Sequence, residues 1–287
     1  MQPMHCRGLA WDDDTRRTSY MHRLRDYLSD EHGIDIDLFH DPEDFLGKFK
    51  SNTLSLDLLL VDLLFQDSSG QIDDKYGFHL IRQIHESAYG RNIPIFVITS
   101  HGDWLDLRKE GLQGNIRSLS KSTRMEWTAG EISNVLQATP DSRKVLLIAS
   151  GEAAAGASAK VARMLNELDL QVVHADTRSG FFDNVERCGF CVAVCTPETR
   201  CATWSNRSHV QFHPPSEVLV QIGAAMAVHK EPRPVIVLQK WGRQAEDRAE
   251  LPASVGDLSP ITFTDDVNEG LALIKARLLE LGAPIAV

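Results

Sequence analysis

A chain of 287 residues, 43% hydrophobic and 24% charged, is globular in composition and long enough for two domains that each bury a core. A formal net charge of -10 argues against general affinity for nucleic acid or for anionic membrane surfaces. The start, "MQPMHCRGLAWDDD", lacks the apolar stretch of a signal peptide and no later run reaches membrane-spanning length, so a cytoplasmic protein is expected.

"RGLAWDDD" reads as a short apolar strand ending in acids. "RTSYMHRLRDYLSDEHG" follows as an amphipathic helix closed by Gly33, with Asp14 placed to cap its start. "IDIDLFHD" alternates as a strand, and a short helical stretch leads into "DLLLVDLLF", an apolar run with one carboxylate, Asp62, set inside it. Next come a helix in "YGFHLIRQIHESA", a strand in "IPIFVITS", a short strand in "IRSLS" and a closing helix from Glu126 to Leu136. The polar segment "QATPDSR", carrying Pro140, marks a boundary between domains at residues 1–139 and 140–287.

The pattern then starts afresh. Strand "KVLLIASG", helix "SAKVARMLNELDL", strand "QVVHAD", helix "FFDNVERCG" and strand "FCVAVCT" precede a helix from Glu217 to His229. Strands "PVIVLQK" and "PITFT" and a terminal helix in "VNEGLALIKARLLELG" complete the chain. Apolar runs of strand length alternating with amphipathic helices predict an α/β protein with two doubly wound parallel sheets.

In such sheets, ligands bind beyond the carboxyl ends of the strands. The first strand end supplies Asp12, Asp13 and Asp14, the third Asp62, the fourth Thr99 and Ser100, and the fifth Lys121. Clustered carboxylates suit a hard divalent cation such as Mg²⁺. A carboxylate can also attack phosphorus to give an aspartyl phosphate, whose oxygens a hydroxyl and an ammonium would bind. Each residue alone has an ordinary explanation as a turn, cap or solvated residue; their shared placement at strand ends carries the reading.

The first ~135 residues resemble the receiver domain of two-component response regulators, a flavodoxin-like fold. The resemblance implies that Asp12 and Asp13 hold Mg²⁺ together with Asp62, that Asp62 is the phosphoacceptor, and that Thr99 and Lys121 contact the phosphoryl group. It implies a histidine kinase as partner. The chain departs from the family in the long acidic segment "LLFQDSSGQIDDKYG", in Ser122 where the family has proline, and in the missing ring residue near the fifth strand, where Arg117 and Leu119 stand. A conventional aromatic switch is therefore not expected.

In the second half, "LLIASGEAAAGASAK" spaces Gly151 and Gly156 as in a phosphate loop, but Ala157 stands where the lysine is needed, which argues against a Walker-type NTPase. A Gly/Ala-rich helix entry accounts for it, and its free N–H groups remain able to receive an anion. The cysteines Cys188, Cys191, Cys195 and Cys201 are expected as reduced thiols. Cys188 and Cys191 form a C-x-x-C with His209 and His213 downstream, yet Cys191 and Cys195 share one face of an apolar strand, so core packing is preferred over zinc.

Residues from about Lys144 to Gly282 resemble TIR-like domains of the bacterial nucleotide-binding type, through "VLLIASGEAAAGASAKVARMLNELDLQVV", "CGFCVAVCTPET", "SEVLVQIGAAMAV" and "RPVIVLQK". The resemblance implies binding of NAD or another nucleotide, with Ser150, Gly151 and Glu152 at the first strand's end as cofactor-binding candidates. Family members that cleave NAD⁺ use the glutamate of a helix motif; here Val218, Ile222 and Gly223 match, but the glutamate position is Gln221. Neutral Gln is neither a general base nor a charge stabiliser for an oxocarbenium-like centre. Glu217, one turn earlier, is the alternative catalytic carboxylate, against its reading as a solvated helix-start acid. Arg178, Trp204 and Arg207 are minor loop candidates, and His229 and Lys230 complement a helix end. The expected function is signal transduction, with phosphorylation of Asp62 regulating a TIR-like domain that binds a nucleotide or self-associates. The alternatives are a receiver-controlled NAD⁺ glycohydrolase and a sensor of a nucleotide second messenger.

Overall fold

The apolar runs of the sequence become the strands of two separate parallel sheets. The computed structural model describes residues 6–51, 56–66, 71–73, 76–100, 107, 109, 112, 115–175, 178–203, 206–228, 235–242, 244, 248–264 and 266–285. It divides into two units, Met1–Thr139 and Pro140–Val287.

The first unit runs β1 (Cys6–Trp11), α1 (Tyr20–His32), β2 (Ile34–Phe39), α2 (Pro42–Ser51), β3 (Leu58–Val61), β4 (Phe65–Gln66), β5 (Ile72–Asp73), α3 (Tyr76–His85), α4 (Ala88–Asn92), β6 (Ile95–Thr99), β7 (Ile116–Ser120) and α5 (Met125–Ala138). The sheet order is β2-β1-β3-β6-β7, all parallel. Numbered within the sheet this is 2-1-3-4-5, the flavodoxin-like order. Alternation along the strands fills a core on each face. Leu9, Leu59, Val61, Ile95 and Val97 pack with Phe45, Phe49, Phe78 and Ile81 of α2 and α3. Ala10, Leu58, Leu60, Phe96 and Ile98 pack with Leu24 and Leu28 of α1 and with Ile132 of α5.

The second unit runs β8 (Asp141–Ile148), α6 (Glu152–Glu167), β9 (Gln171–His174), α7 (Arg178–Val185), β10 (Cys188–Cys195), β11 (Thr199–Thr203), β12 (Asn206–His213), α8 (Ser216–Val228), β13 (Val235–Lys240), α9 (Ala253–Gly256), β14 (Ile261–Phe263) and α10 (Asn268–Glu280). Its parallel sheet, β14-β13-β10-β8-β9, has the same 2-1-3-4-5 order. Ala154, Val161 and Leu165 of α6 and Ile274 and Leu278 of α10 cover one face. Val218, Ile222 and Ala225 of α8 and Phe181 and Val185 of α7 cover the other.

Several expectations are corrected. The antiparallel pairs β4–β5 and β11–β12 were not foreseen, because each depends on cross-strand hydrogen bonds rather than on an apolar run. The boundary segment 137–143 is mostly helix and strand. α5 runs to Ala138 and β8 starts at Asp141, leaving Thr139 and Pro140 between them; the φ of -84° and ψ of 130° at Thr139 are the extended geometry imposed before a proline. α6 starts at Glu152 rather than near Ser158, and α7 ends at Val185, freeing Cys188 to open β10. Asp14 does not cap α1; Ser19 does, its Oγ accepting from the His22 N–H at 3.3 Å. Gly33 closes α1 with a φ of 65°, as its position suggests.

Candidate functional site

The parallel ladder carries past the ends of β1 and β3 and sets two carboxylates side by side. Trp11 pairs with Val61 in register, the Asp62 N–H donates to the Trp11 carbonyl at 3.0 Å, and the Asp12 N–H donates to the Phe39 carbonyl at 3.1 Å. Asp12 and Asp62 are both buried, and Asp13 beside them is half-buried. Thr99 is buried at the end of β6, and its carbonyl accepts from the Lys121 N–H at 2.8 Å, which places Lys121 just beyond β7. All five residues thus converge at the β1/β3 switch point, where sheets of this order take their ligands.

Lys121 is the cation of the site. Its Nζ lies 2.5 Å from Asp62 Oδ2 and 3.9 Å from Asp12 Oδ1. Burial lowers the Lys121 pKa, but Asp62 and Asp12 more than offset it and the net movement is upward. Asp62 Oδ1 accepts from the Leu63 N–H at 2.8 Å, so its two oxygens are oriented by different partners. Burial pushes Asp12 up to about 6, with Lys121 opposing and Asp62 adding to the rise. Asp12 Oδ2 is buried without a hydrogen-bond partner among the described residues. Asp14 is held apart: Arg16 donates to it at 2.6 and 2.8 Å and draws it down to about 2.

Asp12, Asp13 and Asp62 offer carboxylate oxygens that all lie within 4.8 Å of one another. Three acids facing one lysine, with a buried oxygen left over, fit a hard divalent cation. The donor set is oxygen alone, which matches Mg²⁺ rather than a softer metal.

Behind these acids stands a ring cluster that the sequence reading missed. Trp11 lies 5.6 Å from Tyr76 and 6.1 Å from Phe65, and Phe65 stacks on Tyr76 at 4.5 Å. Gly77 permits the approach of α3: a Cβ there would stand 2.1 Å from the Asp62 carbonyl oxygen. The only trace in the sequence is "YG" at a helix start. On β7, Arg117 is exposed and Leu119 is buried, so no ring stands there. Ser122 folds its loop by hydrogen bonds to Ser120, 2.7 Å between hydroxyls and 3.2 Å from its N–H.

In the second unit, Ser150 is half-buried and Glu152 is exposed as the first residue of α6. Gly151 between them has a φ of 86°. Gln221 is buried with Val218, Ile222 and Ala225 on the inner face of α8, whereas Glu217 is exposed in its first turn. Cys191 and Cys195 are core residues together with Cys188. Burial raises their thiol pKa values, to about 11 for Cys188 and about 12 for Cys195, which makes them poor thiolate donors. His213 Nδ1 lies 2.9 Å from the Glu250 carbonyl oxygen. Arg178 opens α7 and Arg207 lies in β12, not in loops. Trp204, His229 and Lys230, and the side chains of Arg178, Cys201, Arg207 and His209, lie outside the described residues.

No family model matches the sequence, and no curated protein matches it either. Solved structures similar to the chain include a response regulator receiver protein from Burkholderia phymatum, at 21% identity and a TM-score of 0.33, covering 46% of this chain and 95% of that one. A probable two-component system response regulator/GGDEF domain protein aligns at 13% identity and a TM-score of 0.34, covering 96% of this chain and 99% of that one. A lysine decarboxylase from Francisella novicida aligns at 13% identity and a TM-score of 0.34 over 48% of this chain, which spans 17% of that enzyme. Among the described residues, no helix is long and apolar enough to cross a membrane.

Proposed function

We propose that the chain is a cytoplasmic signalling protein whose first unit accepts a phosphoryl group on Asp62 from a histidine kinase, and whose second unit is a TIR-like output that binds a nucleotide or drives self-association. The observation that carries the input half is the Lys121–Asp62 pair at 2.5 Å beside Asp12, Asp13 and Thr99.

In this reading an Asp62 carboxylate oxygen attacks the phosphorus of a phosphohistidine. A P–O bond forms, the P–N bond breaks, and the imidazole nitrogen keeps the electron pair and takes up a proton. Lys121 pairs with Asp62 before transfer and then follows the charge onto the phosphoryl oxygens. The Thr99 hydroxyl donates to a second phosphoryl oxygen. Mg²⁺ held by Asp12, Asp13 and Asp62 would neutralise charge on the transferred group. The fit rests on the unpartnered Asp12 Oδ2 and on the close approach of the three carboxylates.

For the output, binding or assembly is favoured over cleavage of NAD⁺. The position that needs an acid holds a neutral, buried Gln221, and Glu217 faces solvent. Incubation of the full chain with a small phosphoryl donor and Mg²⁺ is expected to label Asp62, and Asp62→Asn to abolish the label. Retention of the label in that variant would overturn the assignment. Parallel incubation with NAD⁺ is expected to release no nicotinamide; release abolished by Glu217→Ala would establish the enzyme instead.

A further inference from the structure

The second sheet shares the strand order of the first, so its own crevice opens where β8 and β10 part. Ala193 pairs with Ile148 in register, and three residues further along each chain stand Thr196 and Gly151. Gly151 opens α6, a helix of 16 residues, and among the described residues no side chain caps its first turn. The carboxylate of Glu198 lies across Gly151, its oxygens 2.3 and 2.4 Å from where a Cβ would be. Thr196 is 1% exposed, and its Oγ1 is buried without a hydrogen-bond partner among the described residues. Phe190, Val192 and Val194 alternate onto the core face shared with Ala154 and Val161 of α6. Continued one residue past the end of β10, the same alternation puts Thr196 on that face.

We propose that the β8/β10 crevice binds the phosphate group of a phosphate-bearing ligand. The uncapped amides of α6 and the Thr196 hydroxyl take the phosphoryl oxygens, and the Glu198 side chain swings aside to admit them. The proposal rests on the reading of the second unit as ligand-binding; it adds the ligand's chemistry and two residues, Thr196 and Glu198. Three features converge. The start of a long helix favours negative charge and presents free donors. The chain's own carboxylate, that of Glu198, lies beside Gly151, the residue at which the helix begins. The buried hydroxyl lacks the partner that such groups almost always have, and a phosphoryl oxygen would supply it. Glu198 is exposed, so its movement uncovers no core. Because Glu198 carries the same charge as the ligand, it sets a threshold that the incoming phosphate must exceed.

Calorimetric titration of the full chain with inorganic pyrophosphate, in Mg²⁺-free buffer of low ionic strength, tests this. Glu198→Gln removes the competing charge and is expected to bind roughly ten-fold tighter than the parent chain. Adding Thr196→Val to that variant is expected to lose about the same factor, whereas Thr196→Ser keeps the hydroxyl and the affinity. Equal or weaker binding by Glu198→Gln overturns the proposal, as does affinity unchanged by loss of the Thr196 hydroxyl. Should Thr196→Val fail to fold, the Glu198→Gln comparison still decides. Asp62→Asn is expected to leave the titration unchanged. Failure of pyrophosphate to bind therefore counts against this crevice alone, and failure to label Asp62 counts against the first unit alone.

Discussion

Asp12 holds a charge that the fold makes expensive. Its carboxyl moves from an ordinary value near 3.8 to about 6, because burial disfavours the anion by more than the Lys121 charge restores, and Asp62 adds to the rise. A raised acid favours the fold while protonated. In metal-free buffer this contribution is complete below about pH 4 and is lost as pH rises through about 6, at roughly 1.4 kcal/mol per pH unit. Asp12→Asn is therefore expected to stabilise the metal-free protein at pH 7 by roughly 1–3 kcal/mol, measured by urea unfolding. The gain should disappear at pH 4; a loss of stability at pH 7 would show that the carboxylate has a partner outweighing its burial. The same substitution is expected to abolish stabilisation by Mg²⁺, since it removes the oxygen that has no other partner.

Where β3 hands over to α3, backbone rather than side chains sets the geometry. A methyl at Gly77 would collide with the Asp62 carbonyl, and backbone atoms do not move as a side-chain tip does. Gly77→Ala is expected to cost about 1–3 kcal/mol and to slow labelling of Asp62 by shifting its peptide. Unchanged labelling would show that α3 can retreat from the acceptor. Tyr89 fixes the other end of β3: its hydroxyl donates to the Leu56 carbonyl at 2.7 Å and accepts from the Leu56 N–H at 3.2 Å. Tyr89→Phe is expected to cost about 1–3 kcal/mol in the same unfolding assay, since Leu56 is buried. These elements also show what sequence makes legible. Leu58–Val61 and Ile95–Thr99 are buried on both faces and so read as uninterrupted apolar runs. Asp12, Asp62, Thr99 and Lys121 were found because each stands immediately at or beyond such a run. Thr196 and Glu198 follow a strand in the same way, but their interest arises through space, from Gly151 at the start of α6, and no local pattern encodes that. Sequence favours Asp14 over Ser19 as the cap of α1 because both offer an acceptor oxygen before the helix, and only the fold decides between them.

Each unit fills two core layers from its own residues, one on either face of its own sheet. Calorimetry of the full chain is therefore expected to resolve two unfolding transitions. Mg²⁺ at 100 times its dissociation constant should stabilise one by about 2.7 kcal/mol and leave the other in place. A single transition that moves as a whole would show that the units unfold together. The ring cluster beside Asp12 gives these events an optical handle. Trp11 is fully buried and its indole N–H lacks a partner among the described residues, whereas Trp127 is 53% exposed and Trp241 is 38% exposed. With the other four tryptophans replaced by Phe, emission from Trp11 should be blue-shifted and resistant to acrylamide. Its position immediately before a carboxylate of the site makes it an internal fluorophore, able to report cation binding and phosphorylation without an attached label.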